Sequence, residues 1–279
     1  KAFLPMILGF GCSVPAIMAT RALETEKDRR RTMILIPFMS CSARLPVYVL
    51  FAGLFFGKYA HLAAFSMYVI GMLFAIILAK LLHVMDKESE NECLLIELPE
   101  YKKPNGRTIR IYVWNKLKDY LSKAGTTIFV ASIIIWAVLN YGQGGMVTNP
   151  SDSFGAMIGK WLEPVMRPAG LGMWQIIVSL IAGISAKEVV VSSFSVLFGS
   201  LNSSGTVGLS MVAENLKSID PSFGPLNAYC MMLFVLLYVP CAAAMATIRK
   251  ESGSTLFTLK LAAFQIFVAW MAAVIVYQI

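Results

Sequence analysis

Apolar residues run through this chain in long blocks separated by short polar connections. About 20 helical residues cross a bilayer, and blocks of roughly that length occupy residues 33–56, 59–83, 124–141, 226–248 and 261–279. Two further apolar blocks are interrupted. Residues 4–20 are short for a crossing and carry Gly9, Gly11 and Pro15, whereas residues 173–199 are long and carry Gly183, Lys187 and Glu188 in their middle. Breaks of this kind are tolerated at membrane depth only where the freed backbone is buried in protein or lines a cavity. The pattern predicts an all-α polytopic membrane protein with broken or re-entrant helices.

The connections refine the plan. Residues 85–107 are charged and contain Pro99, Pro104 and Gly106, which predicts a loop. Ile109, Tyr112, Val113, Leu117, Tyr120 and Leu121 then recur at helical spacing among Arg110, Lys116 and Lys118, describing an amphipathic helix on the membrane surface. Residues 142–172, rich in Gly and Pro, are expected to form an extracytoplasmic loop with Trp161 at the interface. The expected organisation is a first repeat over 1–56, a transmembrane helix over 57–84, a cytoplasmic loop and interfacial helix over 85–123, and a transmembrane helix over 124–141. After the outer loop come a second repeat over 173–248 and a cytoplasmic turn with a final helix over 249–279.

Charge decides between two topologies. With residues 21–32 in the cytoplasm, a fully crossing 173–199 segment leaves 16 basic residues inside and 6 outside; a hairpin entering and leaving on the outer face gives 18 against 4. The hairpin satisfies the positive-inside rule better. The same distribution accounts for the net charge of +8 without nucleic acid, since the basic residues sit in connections between spans. Five cysteines make no disulfide framework, and Cys12, Cys41 and Cys241 lie in apolar segments beside Pro or Ser, so reduced thiols are expected. The first residue is Lys1, and we expect the chain to be part of a longer protein.

The two interrupted segments resemble each other. Gly11-Cys12-Ser13-Val14-Pro15 aligns with Gly183-Ile184-Ser185-Ala186-Lys187, and each is followed by a span with proline near cysteine: Pro37 with Cys41, and Pro240 with Cys241. On the hairpin topology these spans run in opposite directions. That is the parity of an inverted repeat, whose substrate site lies near the midplane where broken helices meet.

Chemistry concentrates at these breaks. A proline inside a helix frees the carbonyl four residues earlier, so Pro15, Pro37, Pro46 and Pro240 point to the oxygens of Gly11, Met33, Ser42 and Leu236. Cys12, Cys41 and Cys241, with the hydroxyls of Ser13 and Ser40, add thiols beside them. Thiolate with oxygen suits a borderline divalent metal such as Fe(II) better than Na⁺, K⁺ or Mg²⁺. Ser185, Glu188, Ser192 and Ser195 would form one polar stripe on a helix, and a carboxylate at membrane depth marks Glu188 as a site candidate. Lys187 would point elsewhere, and an ion pair with Arg44 is the structural alternative for Glu188. Cys93 and Cys230 are expected to be structural, His61 and His83 interfacial, and the sixteen methionines packing residues. Gly155-Ala156-Met157-Ile158-Gly159-Lys160 is one residue short of a phosphate loop and lacks the following Ser or Thr.

At these residues the sequence resembles the membrane domain of the ferrous-iron transport protein B (FeoB) family. Residues 9–21 resemble the start of that family's first gate motif, and Pro37-Phe38-Met39-Ser40-Cys41-Ser42-Ala43-Arg44-Leu45-Pro46 resembles its continuation. Ala186-Lys187-Glu188-Val189-Val190 and Tyr238-Val239-Pro240-Cys241 are similar to the second gate. The resemblance implies a multi-pass protein of the bacterial inner membrane with Fe(II) as transported substrate and the gate cysteines as candidate ligands. It also implies an N-terminal domain binding GTP and Mg outside this chain, and leaves open small cytoplasmic accessory proteins and a homo-oligomer as partners. Ile184 stands where the first repeat has Cys12, so a strictly two-fold metal site is not expected. The competing readings are a nucleoside or other organic-solute carrier, an intramembrane enzyme using Glu188 and Lys187, and a structural anchor.

Overall fold

The computed structural model describes residues 2–85, 105–142, 145–147, 152–197, 216, 221 and 223–279. Cys93, most of the predicted charged loop and most of residues 198–222 lie outside them. Twelve α-helices build the described part, and strand pairing within it is limited to Tyr141–Gly142 with Gly145–Met146 and a single bridge from Gly142 to Ser153. The expectation of an all-α polytopic membrane protein holds. Four stretches among the described residues are long and apolar enough to cross a membrane: Glu26–Phe55, Gly57–Val84, Pro225–Ser252 and Thr255–Gln278.

The first half runs α1 (Phe3–Gly11), α2 (Ser13–Ala19), α3 (Glu26–Leu35) and α4 (Leu45–Phe55), then the long α5 (Ala60–Met85). Thr25 starts α3 by accepting a hydrogen bond from the Asp28 amide at 3.1 Å, and Glu26 and Asp28 lie in the first turn, where the helix dipole favours acids. Between α3 and α4 the chain unwinds through residues 36–44 as two short 3₁₀ turns flanking extended backbone at Met39 and Cys41. Pro46 sits in the first turn of α4, where a missing N–H costs nothing. It begins that helix rather than kinking a continuous one.

Two sequence expectations are corrected in the middle of the chain. The surface helix and the following span are one helix, α6 (Gly106–Asn140), because no proline interrupts residues 106–140 and Asn105 caps the start by accepting from the Arg107 amide. The segment expected to be an outer loop contains α7 (Phe154–Met166), capped by Ser153. The glycines there suggested a loop but serve close packing, since a Cβ on Gly159 would stand 2.9 Å from the Trp174 carbonyl. The phosphate-loop lookalike is therefore helix interior. α7 and its 3₁₀ extension meet α8 (Trp174–Ala182) at a bend of 101°.

The second half continues from α8 through a turn at residues 183–187 to α9 (Glu188–Leu197), then α10 (Pro225–Leu237), α11 (Ala242–Ser252) and α12 (Thr255–Gln278). Short helix, break, short helix, then a long span interrupted beside a cysteine is the order of the first half repeated. α10 is the centre of the molecule, and α4, α5 and α12 surround it. The stretch containing α10 and α11 is 72% buried, whereas α5 and α12 lie at 22% and 28%. Their outward rows, including Phe65, Ile76 and Ile77 on α5 and Leu259 and Phe267 on α12, leave far more apolar surface uncovered than a soluble monomer tolerates, and face lipid.

The buried side chains form two clusters. The larger surrounds α10; the smaller joins Val14, Ile17, Met33 and Ile36 to Ala243, Ala244, Ile248 and Leu261, tying the first repeat to the second. Phe38 and Met39 belong to one cluster and Ile36 to the other, as do Val239 and Ala243 across the second break. The unwound segments thus lie where the two clusters meet.

Candidate functional site

Each break is built from a hairpin and an unwound segment that touch. In the first repeat Cys12 is the single extended residue between α1 and α2, and the Ser42 hydroxyl donates to the Gly11 carbonyl at 2.9 Å. In the second, the Ala242 amide donates to the Ile184 carbonyl at 2.7 Å. Ser42 and Ala242 each follow their cysteine directly, and Gly11 and Ile184 lie at aligned positions give or take one residue. Both repeats therefore close the same junction, one with a side chain and one with the main chain.

The three cysteines lie in neighbouring parts of these segments. Cys12 and Cys241 both border the smaller cluster, and Cys12, Cys41 and Lys187 all lie within electrostatic reach of Cys241. Each thiol is half-buried. Among the described residues, however, no three His, Cys, Asp or Glu side chains stand close enough to hold a metal ion. The arrangement is a meeting point of thiols with backbone oxygens rather than a closed cage.

The hydroxyls and carbonyls are disposed differently from the sequence expectation. Ser40 is buried and donates to the Tyr48 hydroxyl at 3.2 Å, and Ser13 is buried in the first turn of α2. The oxygens of Gly11 and Ser42, expected to be free, accept hydrogen bonds from Ser42 Oγ and the Leu45 amide. The carbonyls that meet side-chain cations are others: Pro37 and Met39, 2.9 and 2.8 Å from the Arg44 guanidinium, and Val239, 2.6 Å from Lys187 Nζ.

The polar stripe does not form as a single helical face. Ser185 lies in the turn before α9, buried, with its hydroxyl on the Ala182 carbonyl at 2.8 Å. Short-range bonds from Ile184 and Ser185 back to Ile181 and Ala182 tighten this turn, so helical phasing starts only at Glu188. Glu188 and Ser192 share a face of α9 and both are exposed on the chain; Ser195 is helical, and its side chain lies outside the described set. The alternative pairing of Glu188 with Arg44 is not made, because Arg44 is spent on its own segment's carbonyls.

Arg44 and Lys187, only 1% and 2% exposed, are the functional candidates that residue spacing passed over. The rule that singled out Glu188, a charge within an apolar segment, applies equally to both and would have found them. Lys187 also lies over the Tyr238 ring, 3.2 Å from its centroid, and Tyr238 donates to the Leu180 carbonyl at 3.3 Å. Gly183 permits this crossing: a Cβ there would meet Tyr238 Oη at 2.6 Å and a Val190 methyl closer still. Cys230 is buried against the Ala273 carbonyl, away from the breaks, and His61 and His83 are exposed near the ends of α5.

The family described as "Gate: Nucleoside recognition" matches residues 1–55 and 121–255, and "Ferrous iron transport protein B C terminus" matches residues 64–116. A protein of Staphylococcus aureus (strain COL) named "Fe(2+) transporter FeoB" is 41% identical over 279 residues, covering 100% of this chain and 40% of the relative. One of the same name from Methanocaldococcus jannaschii is 41% identical over 262 residues, covering 91% and 37%. The "Fe(2+) transport protein A/Fe(2+) transporter FeoB fusion protein" of Porphyromonas gingivalis is 34% identical over 318 residues, covering 100% and 38%. The chain spans about two fifths of the length of these relatives. No solved structure matches.

Proposed function

Because the chain belongs to the ferrous iron transport protein B family, we propose that it forms the permeation part of a transporter whose cargo is Fe(II), with Cys12, Cys41 and Cys241 as its soft ligands. The observation that supports this reading is a thiol at each helix break, with Cys12 and Cys241 bordering the same buried cluster and Cys41 close enough to act on Cys241. Thiolate ligands favour Fe(II) over the hard cations, and exchangeable oxygens from Ser13, Ser40 and the unwound backbone complete a shell that releases its ion readily. Glu188 and Ser192, on one face of α9, mark the approach to it, with the carboxylate attracting the cation and helping it shed water, while Ser185 lies buried in the turn before them.

The relatives' greater length leaves room for an N-terminal domain, in this reading the GTP- and Mg-binding regulator. The fusion with a transport protein A supports a small accessory partner. The setting is the bacterial inner membrane, and assembly as a homo-oligomer is part of the proposal. Arg21 and Glu251 are ion-paired, which brings the ends of α2 and α11 to one membrane face; we assign that face to the cytoplasm from the positive-inside count. Against a nucleoside carrier, the described breaks offer thiols, hydroxyls and two buried cations rather than amide groups for a base edge. Against an intramembrane enzyme, Glu188 and Lys187 point to different surroundings.

The test is anaerobic uptake of Fe(II), Zn(II) and Mn(II) by full-length protein in liposomes. Cys41→Ser and Cys241→Ser should lower Fe(II) uptake at least about tenfold, given that even outer-shell changes cost metal sites that much, while Cys230→Ser should not. Equal effects of all three would sink the assignment. Zn(II) generally outbinds Fe(II) at such ligands, so a preference for Fe(II) would have to come from geometry or supply.

A further inference from the structure

The two repeats share a correspondence beyond their cysteines. Two residues before Cys41 and Cys241 stand Met39 and Val239, and each of these carbonyls accepts a hydrogen bond from a buried cation, Arg44 in one case and Lys187 in the other. The cations are held differently. Arg44 comes from its own segment and uses its planar fork on two carbonyls at once, which makes it a strut. Lys187 reaches the unwound segment from the hairpin of the same repeat, with one hydrogen bond and the face of Tyr238, on a flexible four-carbon stem. No described carboxylate forms an ion pair with Lys187. The ionisable groups near enough to act on it are Arg44, Cys41 and Cys241.

We propose that Lys187 is a tethered cation: its ammonium fills the cation position between the Val239 carbonyl and the thiols of Cys241 and Cys41, and swings out when a divalent metal binds there. The proposal rests on the thiols being Fe(II) ligands and deepens that reading. A divalent ion and an ammonium cannot share a small, poorly solvated space, so one excludes the other. Departure of the ammonium also uncovers the Val239 oxygen as a further ligand. A built-in competitor keeps binding weak enough for the ion to leave again, which conduction requires. Lys187 is on this account a residue that sets affinity and specificity, not a ligand.

Co(II) binding to the full-length protein, followed under anaerobic conditions by its thiolate charge-transfer band, separates the possibilities. Lys187→Gln keeps a donor for Val239 without the charge, and Lys187→Met removes both. Both should bind Co(II) about tenfold more tightly than the parent with the same band, whereas Lys187→Arg should bind no more tightly than the parent. Affinity should therefore sort by charge and not by side-chain size. Unchanged or weaker binding in Lys187→Gln, with the band intact, overturns the tethered cation and makes Lys187 a partner that favours thiolates, leaving the cysteine site standing. Absence of the band from the parent, or a band left unchanged by Cys241→Ser, would instead overturn the metal site itself, and this proposal with it.

Discussion

Replacing Arg44 tests what holds an unwound segment open inside the membrane. The guanidinium is almost fully enclosed and donates to the Met39 and Pro37 carbonyls at 2.8 and 2.9 Å, while its Nε has no partner among the described residues. A hydrogen bond to a charged group contributes roughly 1.5–3 kcal/mol, so the pair is worth about 3–6 kcal/mol. Enclosing the charge costs several kcal/mol in the other direction. Arg44→Met loses both bonds but also the desolvation cost, and should change global stability little. Arg44→Lys keeps the cost, adds that of a more strongly hydrated ion, and reaches only one carbonyl. It should be the less stable variant, by on the order of 2 kcal/mol or about 5 °C in apparent Tm. Thermal unfolding in detergent, with hydrogen exchange across residues 36–44, gives both readouts, and exchange should quicken in either variant. If Arg44→Lys matches the parent while Arg44→Met collapses, the charge rather than the two-carbonyl geometry is what matters, and the reasoning fails.

Three further outcomes follow from the geometry. Gly183→Ala places a methyl against Tyr238 Oη and Val190, so we expect a loss of about 1–3 kcal/mol and slower uptake, measured by unfolding and by vesicle transport; a neutral result would mean that the hairpin yields easily. Glu188→Gln should leave Tm unchanged, since the carboxylate is exposed and pairs with no described residue, and a fall in uptake at equal Tm would place it on the ion's route. Cysteines introduced at Lys27 and Ser252 should react with an impermeant maleimide from the same side of sealed vesicles, because Arg21 and Arg29 both contact Glu251; labelling from opposite sides would contradict the ion pair.

Much of the architecture was legible because membranes punish exceptions. Length and hydropathy located the spans, and Gly, Pro and Cys located both breaks, since each changes what the backbone itself can do. Tertiary use of a residue was harder to read. Gly159 looked like loop composition and proved to be a packing surface, and nothing local to residues 106–140 said where the surface helix would hand over to a span. Lys187 and Glu188 show the limit most sharply. Adjacent charges must point apart, but which one turns inward depends on the Val239 carbonyl, 52 residues away.

The junctions that close the two breaks differ in what evolution can do to them. Ser42 fastens the first through its hydroxyl, so a single base change in the codon can unfasten it or retune it. The second is fastened by the Ala242 amide, which every residue but proline supplies. One repeat therefore has an adjustable clasp and the other a fixed seam, and variation among descendants of this protein should accumulate at the clasp. Ser42→Ala is the smallest such step, and Ala242→Pro is the only kind of exchange that could open the seam.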